Sequence, residues 1–147
     1  MTTVPDAAIQ MIVNALPGAY LWDYSTSDNP PMADLVVFDS IVPPIPPLRY
    51  VVIYPDTGSL TALAVCQQSD TAAFRWQVTS VAPDGAQTRW LATRARDGIV
   101  DRRPVADGWT LGTIRHDGGR FLGRDEQVQE RAAVVAVDRF HVLAARI

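Results

Sequence analysis

The sequence predicts an α+β fold: a mostly antiparallel β-sheet with two helices packed on one face, in a single domain spanning 1–147. Three observations carry that expectation. The closing stretch Ala132 to Ala145 alternates, with Val134, Ala136, Phe140 and Val142 pointing one way and Val135, Val137, Arg139, His141 and Leu143 the other. An earlier stretch alternates more cleanly, with Ala72, Phe74, Trp76 and Val78 on one side and Arg75, Gln77 and Thr79 on the other. Two further stretches, near the start and after Pro83, repeat apolar residues at helical spacing instead.

Composition bounds the class. A chain of 147 residues is expected to be one domain, and 48% hydrophobic with 20% charged residues is ordinary for a packed core. The balance of 13 Lys+Arg against 16 Asp+Glu gives −3, so the total shows no footprint for tight nucleic-acid binding. Cys66 is alone, which excludes an intrachain disulfide and suits a reducing cytoplasm. The opening MTTVPDAAIQ lacks the basic and apolar regions of a signal peptide, and no apolar run approaches the roughly 20 residues that span a bilayer.

The elements follow in order. Thr3 is placed to cap a first helix, with Pro5 and Asp6 in its opening turn, where a missing donor and a negative charge are both favourable. Ile9, Ile12, Val13 and Leu16 form its apolar stripe, and Pro17-Gly18 ends it. Residues 19–48 are proline-rich and irregular. Six of the 11 prolines fall between Asn29 and Leu48, each removing a backbone donor. Short extended pieces fit at Tyr20 to Tyr24 and Leu35 to Phe38. The PPIPP run reads as a rigid spacer rather than a ligand for a proline-recognition domain, since its flanks are apolar.

Arg49 to Tyr54 is a compact strand, with Pro55-Asp56-Thr57-Gly58 as a turn after it. Ser59 to Gln68 fits either a hairpin arm or a loop. Beyond the Ala72–Thr79 strand, Pro83-Asp84-Gly85 opens a second helix from Ala86 to about Val100. Its inner side is expected to hold Trp90, Leu91, Arg94, Ala95 and Ile99, with Arg89, Arg96 and Asp97 outward. Trp109 to Arg115 is extended, Asp117-Gly118-Gly119 is expected to break the chain in a turn, and a charged passage leads to the last strand.

Little in the sequence carries chemistry. Cys66, His116 and His141 lack the spacing of metal ligands or of a thiol–imidazole pair. The glycines of HDGGRFLG are not followed by the Lys-Ser/Thr and helix that a phosphate cradle needs. Asp125-Glu126 reads as a solvated charged loop rather than an acid–base pair. No catalytic residue, cofactor site or metal site is expected.

One resemblance goes further. NALPG (Asn14 to Gly18), PPLRYVVIYPDTG (Pro46 to Gly58), FRWQVTSVAPDGAQTRWLATRARDGIVDRRP (Phe74 to Pro104), GTIRHDGG (Gly112 to Gly119) and VVAVDRFHVLA (Val134 to Ala144) follow one another in a characteristic order. In that order and spacing the chain resembles the tail terminator (tail-completion) proteins of long-tailed bacteriophages, in the version common in phages of high-GC bacteria. Residues 19–45 are longer than that pattern.

The resemblance implies a structural virion protein assembled in the host cytoplasm and no enzyme. Such proteins form a ring, generally a hexamer, on the last ring of the tail tube. They end tube polymerisation and present a joint to head-completion and neck proteins, while genomic DNA passes through the lumen without sequence readout. A mildly acidic surface is compatible with that passage. Ring contacts would use sheet edges and loops. The expected contact loops are Ser59 to Asp70 and Arg120 to Arg131, represented by Ser59, Leu60, Gln67, Gln68, Arg120, Arg124, Asp125 and Arg131. Two other classes remain open: a head-closure or adaptor protein of the neck, and a small cytoplasmic enzyme using Cys66 or the histidines.

Overall fold

A computed structural model of the protein describes residues 2–22, 35–42, 47–56, 59–61, 71–125 and 133–147. Helix α1 (Val4–Ala15) starts where the sequence places it. The Thr3 hydroxyl oxygen accepts the Asp6 N–H at 3.2 Å, and the Asp6 carboxylate accepts the Thr3 backbone N–H at 3.4 Å, closing a capping box. Val4, Ala8, Ile9, Ile12 and Leu16 are buried, and Gly18 takes φ 72° as the chain leaves the helix.

Among the described residues eight strands form one sheet. They are β1 (Tyr20–Trp22), β2 (Val36–Asp39), β3 (Tyr50–Pro55), β4 (Ser59–Thr61), β5 (Thr71–Ala82), β6 (Trp109–Leu111), β7 (Arg115–Asp125) and β8 (Ala133–Arg146). The spatial order is β1-β2-β3-β5-β8-β6, with β4 also pairing β5 and β7 also pairing β8. The centre is the antiparallel pair β5–β8, in register from Thr71↔Ala145 to Ala82↔Val134. Every pair around that centre is antiparallel, as expected. The β1–β2 and β2–β3 pairs are parallel, which the sequence did not reveal. Parallel neighbours need a crossover of about a dozen residues, and the proline-rich region supplies two connections, 23–35 and 40–49.

Pro55 lies opposite Trp76 and Ser59 opposite Ala73, so β3 and β4 pair along the same edge of β5. The turn expected at Pro55-Asp56-Thr57-Gly58 lies partly outside the described residues. Asp56 ties the end of β3 to β5: its N–H donates to the Arg75 carbonyl and its carboxylate accepts the Arg75 N–H, both at 3.0 Å. The turn expected at Asp117-Gly118-Gly119 is a strand irregularity instead and does not reverse the chain. It lies within β7, with one bulge between His116 and Gly118 and another between Phe121 and Gly123. Glycine and charge weaken a strand by propensity, but the long β8 offers a continuous ladder, and an edge strand tolerates both.

Helix α2 (Gly85–Ile99) is capped by Asp84, whose carboxylate accepts the Gln87 N–H at 2.8 Å. Thr88, Leu91, Ala95 and Ile99 are buried. The expected inner placement of Trp90 and Arg94 is wrong. Trp90 is 41% exposed and the Arg94 guanidinium sits 5.4 Å from its ring centroid, an outward cation–π pair. The buried stripe runs through 88, 91, 95 and 99, and residue 90 lies about 100° round the helix from 91.

Both helices cover one face of the sheet, as expected. Ile12 and Leu16 from α1, Leu91 and Ile99 from α2, and Phe74, Trp76, Val78, Phe140 and Val142 from the sheet share one core. The helices touch where Gly98 faces Ala15: a Cβ at 98 would stand 2.0 Å from the Ala15 Cβ. The opposite face holds a second apolar cluster around Val36, Phe38, Tyr50, Val52, Val81 and Val135.

Candidate functional site

The bulged edge strand β7 and its partner β8 bring together the residues of greatest chemical interest. In a regular ladder the two side chains of each cross-strand pair lie on the same face of the sheet, and successive residues alternate faces. His116 lies opposite Phe140 and points to the helix-covered face. There its Nε2 meets the Asp138 carboxylate at 2.8 Å and its ring lies 5.1 Å from that of Phe140. The extra residue at 117 then changes the alternation. The Asp117 carboxylate reaches the opposite face and meets His141 Nδ1 at 2.5 Å, while Gly118 takes the position opposite Arg139.

The glycines permit this arrangement. Gly118 has φ 120°, a backbone region that side chains disfavour. Gly119 lies opposite Asp138, and a Cβ there would sit 2.3 Å from Asp138 Oδ1. The HDGG sequence thus builds two His–Asp pairs, one on each side of the sheet.

The two histidines therefore do not share a site, and Cys66 lies outside the described residues. Among the described residues no group of three or more His, Cys, Asp and Glu side chains could hold a metal ion. Each imidazole is held by its own carboxylate.

The face without helices is more distinctive. Arg75, Arg139 and Arg120 are exposed on it, and among the described residues none of them forms an ion pair. Arg115, on the same edge, pairs with Asp101 at 2.7 Å. An open groove of about 440 Å³ lies beside Arg120 and Arg139, lined also by Gln77, Asp117, Gly118, Gly119 and Val137. A second groove, of about 730 Å³, lies on the helix side between α1 and residues 102–105.

Of the eight expected contact residues, Ser59 and Leu60 lie in β4, and Arg120, Arg124 and Asp125 in β7. They are therefore strand residues, not loop residues. Gln67, Gln68 and Arg131 lie outside the described residues, as does Glu126. Both β4 and the β6–β7 line have one edge with no strand partner among the described residues. Sequence reading missed the arginine row because Arg75, Arg120 and Arg139 are far apart in the chain. Only the β5–β8–β7 register assembles them.

No membrane-crossing helix occurs among the described residues. Neither a protein-family model nor a curated protein matches the sequence. Among solved structures, a chain from the virion of a native gene transfer agent particle is similar, with a TM-score of 0.63 and 12% sequence identity. The alignment covers 97% of this chain and 94% of that one, so the likeness is of the whole fold.

Proposed function

We propose that the protein is a structural component of a tailed, phage-like virion, and within it the tail terminator. In this reading it forms a ring, a hexamer by the family's habit, on the head-proximal end of the tail tube. There it stops tube polymerisation and offers a joint to head-completion and neck proteins, with genomic DNA passing through the lumen. The observation that carries the reading is the likeness, over nearly the full length of both chains, to a chain of a gene transfer agent virion. The order of motifs from Asn14 to Ala144 supplies the finer assignment.

One feature of the fold supports an assembly role. The sheet presents edges without strand partners among the described residues, at β4 and along β6–β7, and such edges suit head-to-tail contacts that close into rings. The two imidazoles also lie on opposite sides of the sheet, each against its own carboxylate, so they do not combine into one site.

Genetic depletion followed by negative-stain microscopy of the particles tests the proposal. Overlong tail tubes, separate from filled heads, are expected. Tails of normal length that fail to join heads would move the protein to head closure or the adaptor. Intact infectious particles would remove it from this assembly, and a specific loss of activity in a folded Cys66→Ala, His116→Ala, His141→Ala variant would then revive the enzyme reading.

A further inference from the structure

We infer that the helix-free face of the β5–β8–β7 sheet is a contact surface for the phosphate backbone of nucleic acid. Arg75 lies opposite His141 and Gln77 opposite Arg139, so Arg75 and Arg139 are diagonal neighbours across β5–β8. Gly118 lies opposite Arg139 and Arg120 opposite Val137, so Arg139 and Arg120 are diagonal neighbours across β8–β7. Such diagonal positions are about 7–8 Å apart, which sets the three arginines in an oblique row across three strands. All 13 basic residues of the chain are arginines, whose planar fork binds phosphate oxygens in pairs.

Net charge conceals the row. Three arginines contribute +3 to a chain of −3, so the remainder carries −3 − 3 = −6. Asp117, hydrogen-bonded to His141, lines the same groove and offsets one of the three charges, leaving 3 − 1 = +2, while Asp101 is paired with Arg115. The row thus presents a local positive strip on an acidic molecule.

The composition between the arginines favours a polyanion over a protein partner. Besides the arginines, Gln77, Asp117, Gly118, Gly119 and the half-buried Val137 line the groove, and none is the large aromatic or aliphatic anchor that usually dominates a protein interface. Contacts of this kind position a backbone without reading bases. The inference rests on the virion reading only for the presence of DNA beside the protein, and it assigns the face that DNA would meet.

The test is binding of the full chain to a short labelled duplex of mixed sequence, by fluorescence anisotropy from about 20 to about 200 mM salt. Wild-type protein is expected to bind weakly, with a log–log salt slope of about −2.7 per subunit from three phosphate contacts. The R75Q/R120Q/R139Q variant is expected to lose binding at the lowest salt while keeping its circular dichroism spectrum. An R94Q/R102Q/R103Q variant, with equal charge change on the other side, is expected to bind like wild type.

No binding by wild type, equal binding by the two variants, or binding to polyglutamate but not to DNA would each overturn the inference. The last result would make the face a docking site for an acidic protein. Failure here with overlong tails on depletion leaves the tail-terminator role intact. Binding as expected with unaltered tails removes that role and keeps this face.

Discussion

Gly98→Ala sets two opposing effects against each other, and the structure decides which wins. In an exposed helix interior the change would stabilise by about 1 kcal/mol, because alanine has less backbone entropy to lose. Gly98, however, faces the last residue of α1, and the new Cβ would lie 2.0 Å from the Ala15 Cβ and 3.4 Å from its Cα. Carbon atoms pack at about 3.5–4.0 Å, so the helices must separate by roughly 1.5 Å at this point. Neither atom is the end of a flexible side chain, so no rotamer change relieves the contact.

The movement would draw Ile12 and Leu16 away from Leu91, Ala95 and Ile99 in the shared core. Overpacking costs about 1–3 kcal/mol, and a 2.0 Å approach between atoms that cannot rotate apart belongs at about 2–3 kcal/mol, which outweighs the propensity gain of about 1 kcal/mol. The expected net loss is about 1–2 kcal/mol, or a fall in Tm of about 3–6 °C for a chain of this size. Urea unfolding followed by tryptophan fluorescence would measure it. Adding Ala15→Gly removes the obstructing methyl, so the double variant should show a favourable coupling of about 1 kcal/mol or more. A stabilised single variant, or additive effects in the double-mutant cycle, would refute the close approach of the two helices.

Two other substitutions test the sheet. Ser80 is fully buried and its hydroxyl has no hydrogen-bond partner among the described residues, so Ser80→Ala should raise stability by about 1 kcal/mol in the same urea assay. A loss of that size would show a partner for the hydroxyl. Gly119→Ala should destabilise by about 1–3 kcal/mol, because its Cβ displaces the Asp138 carboxylate from His116. Combined with Asp138→Ala it should cost less than the sum of the two single changes, and strict additivity would argue against that contact.

The legible parts of the fold were those where one local signal had one consequence. Thr3, Pro5 and Asp6 encode a helix start within four residues, and Asp84 does the same with Gln87. Alternation over 71–82 and 133–146 gave the two central strands because each has a face buried against helices. Parallel pairing of β1, β2 and β3 was not legible. Three- and four-residue strands carry no usable periodicity, and their partners are chosen by distant packing of Leu35, Val37, Val51 and Ile53.

The HDGG stretch failed for a more instructive reason. Asp-Gly and Gly-Gly are turn signals because glycine reaches positive φ without strain, and Gly118 does have φ 120°. A β-bulge makes the same demand on one residue and then lets the strand continue, so the local signal cannot separate the two outcomes. The deciding information lies on β8. Asp138 needs a neighbour without a side chain at 119, and His141 can receive the carboxylate of 117 only if the extra residue shifts the register. Seen this way, Asp138, which interrupts an apolar face in the sequence, is the partner that identifies His116 and Gly119. The same shift brings Gly118 and Arg120 alongside Arg139 and Val137, extending the arginine row from β5 to the edge of the sheet. The polar surface and the apparent break in the chain are therefore two results of one inserted residue.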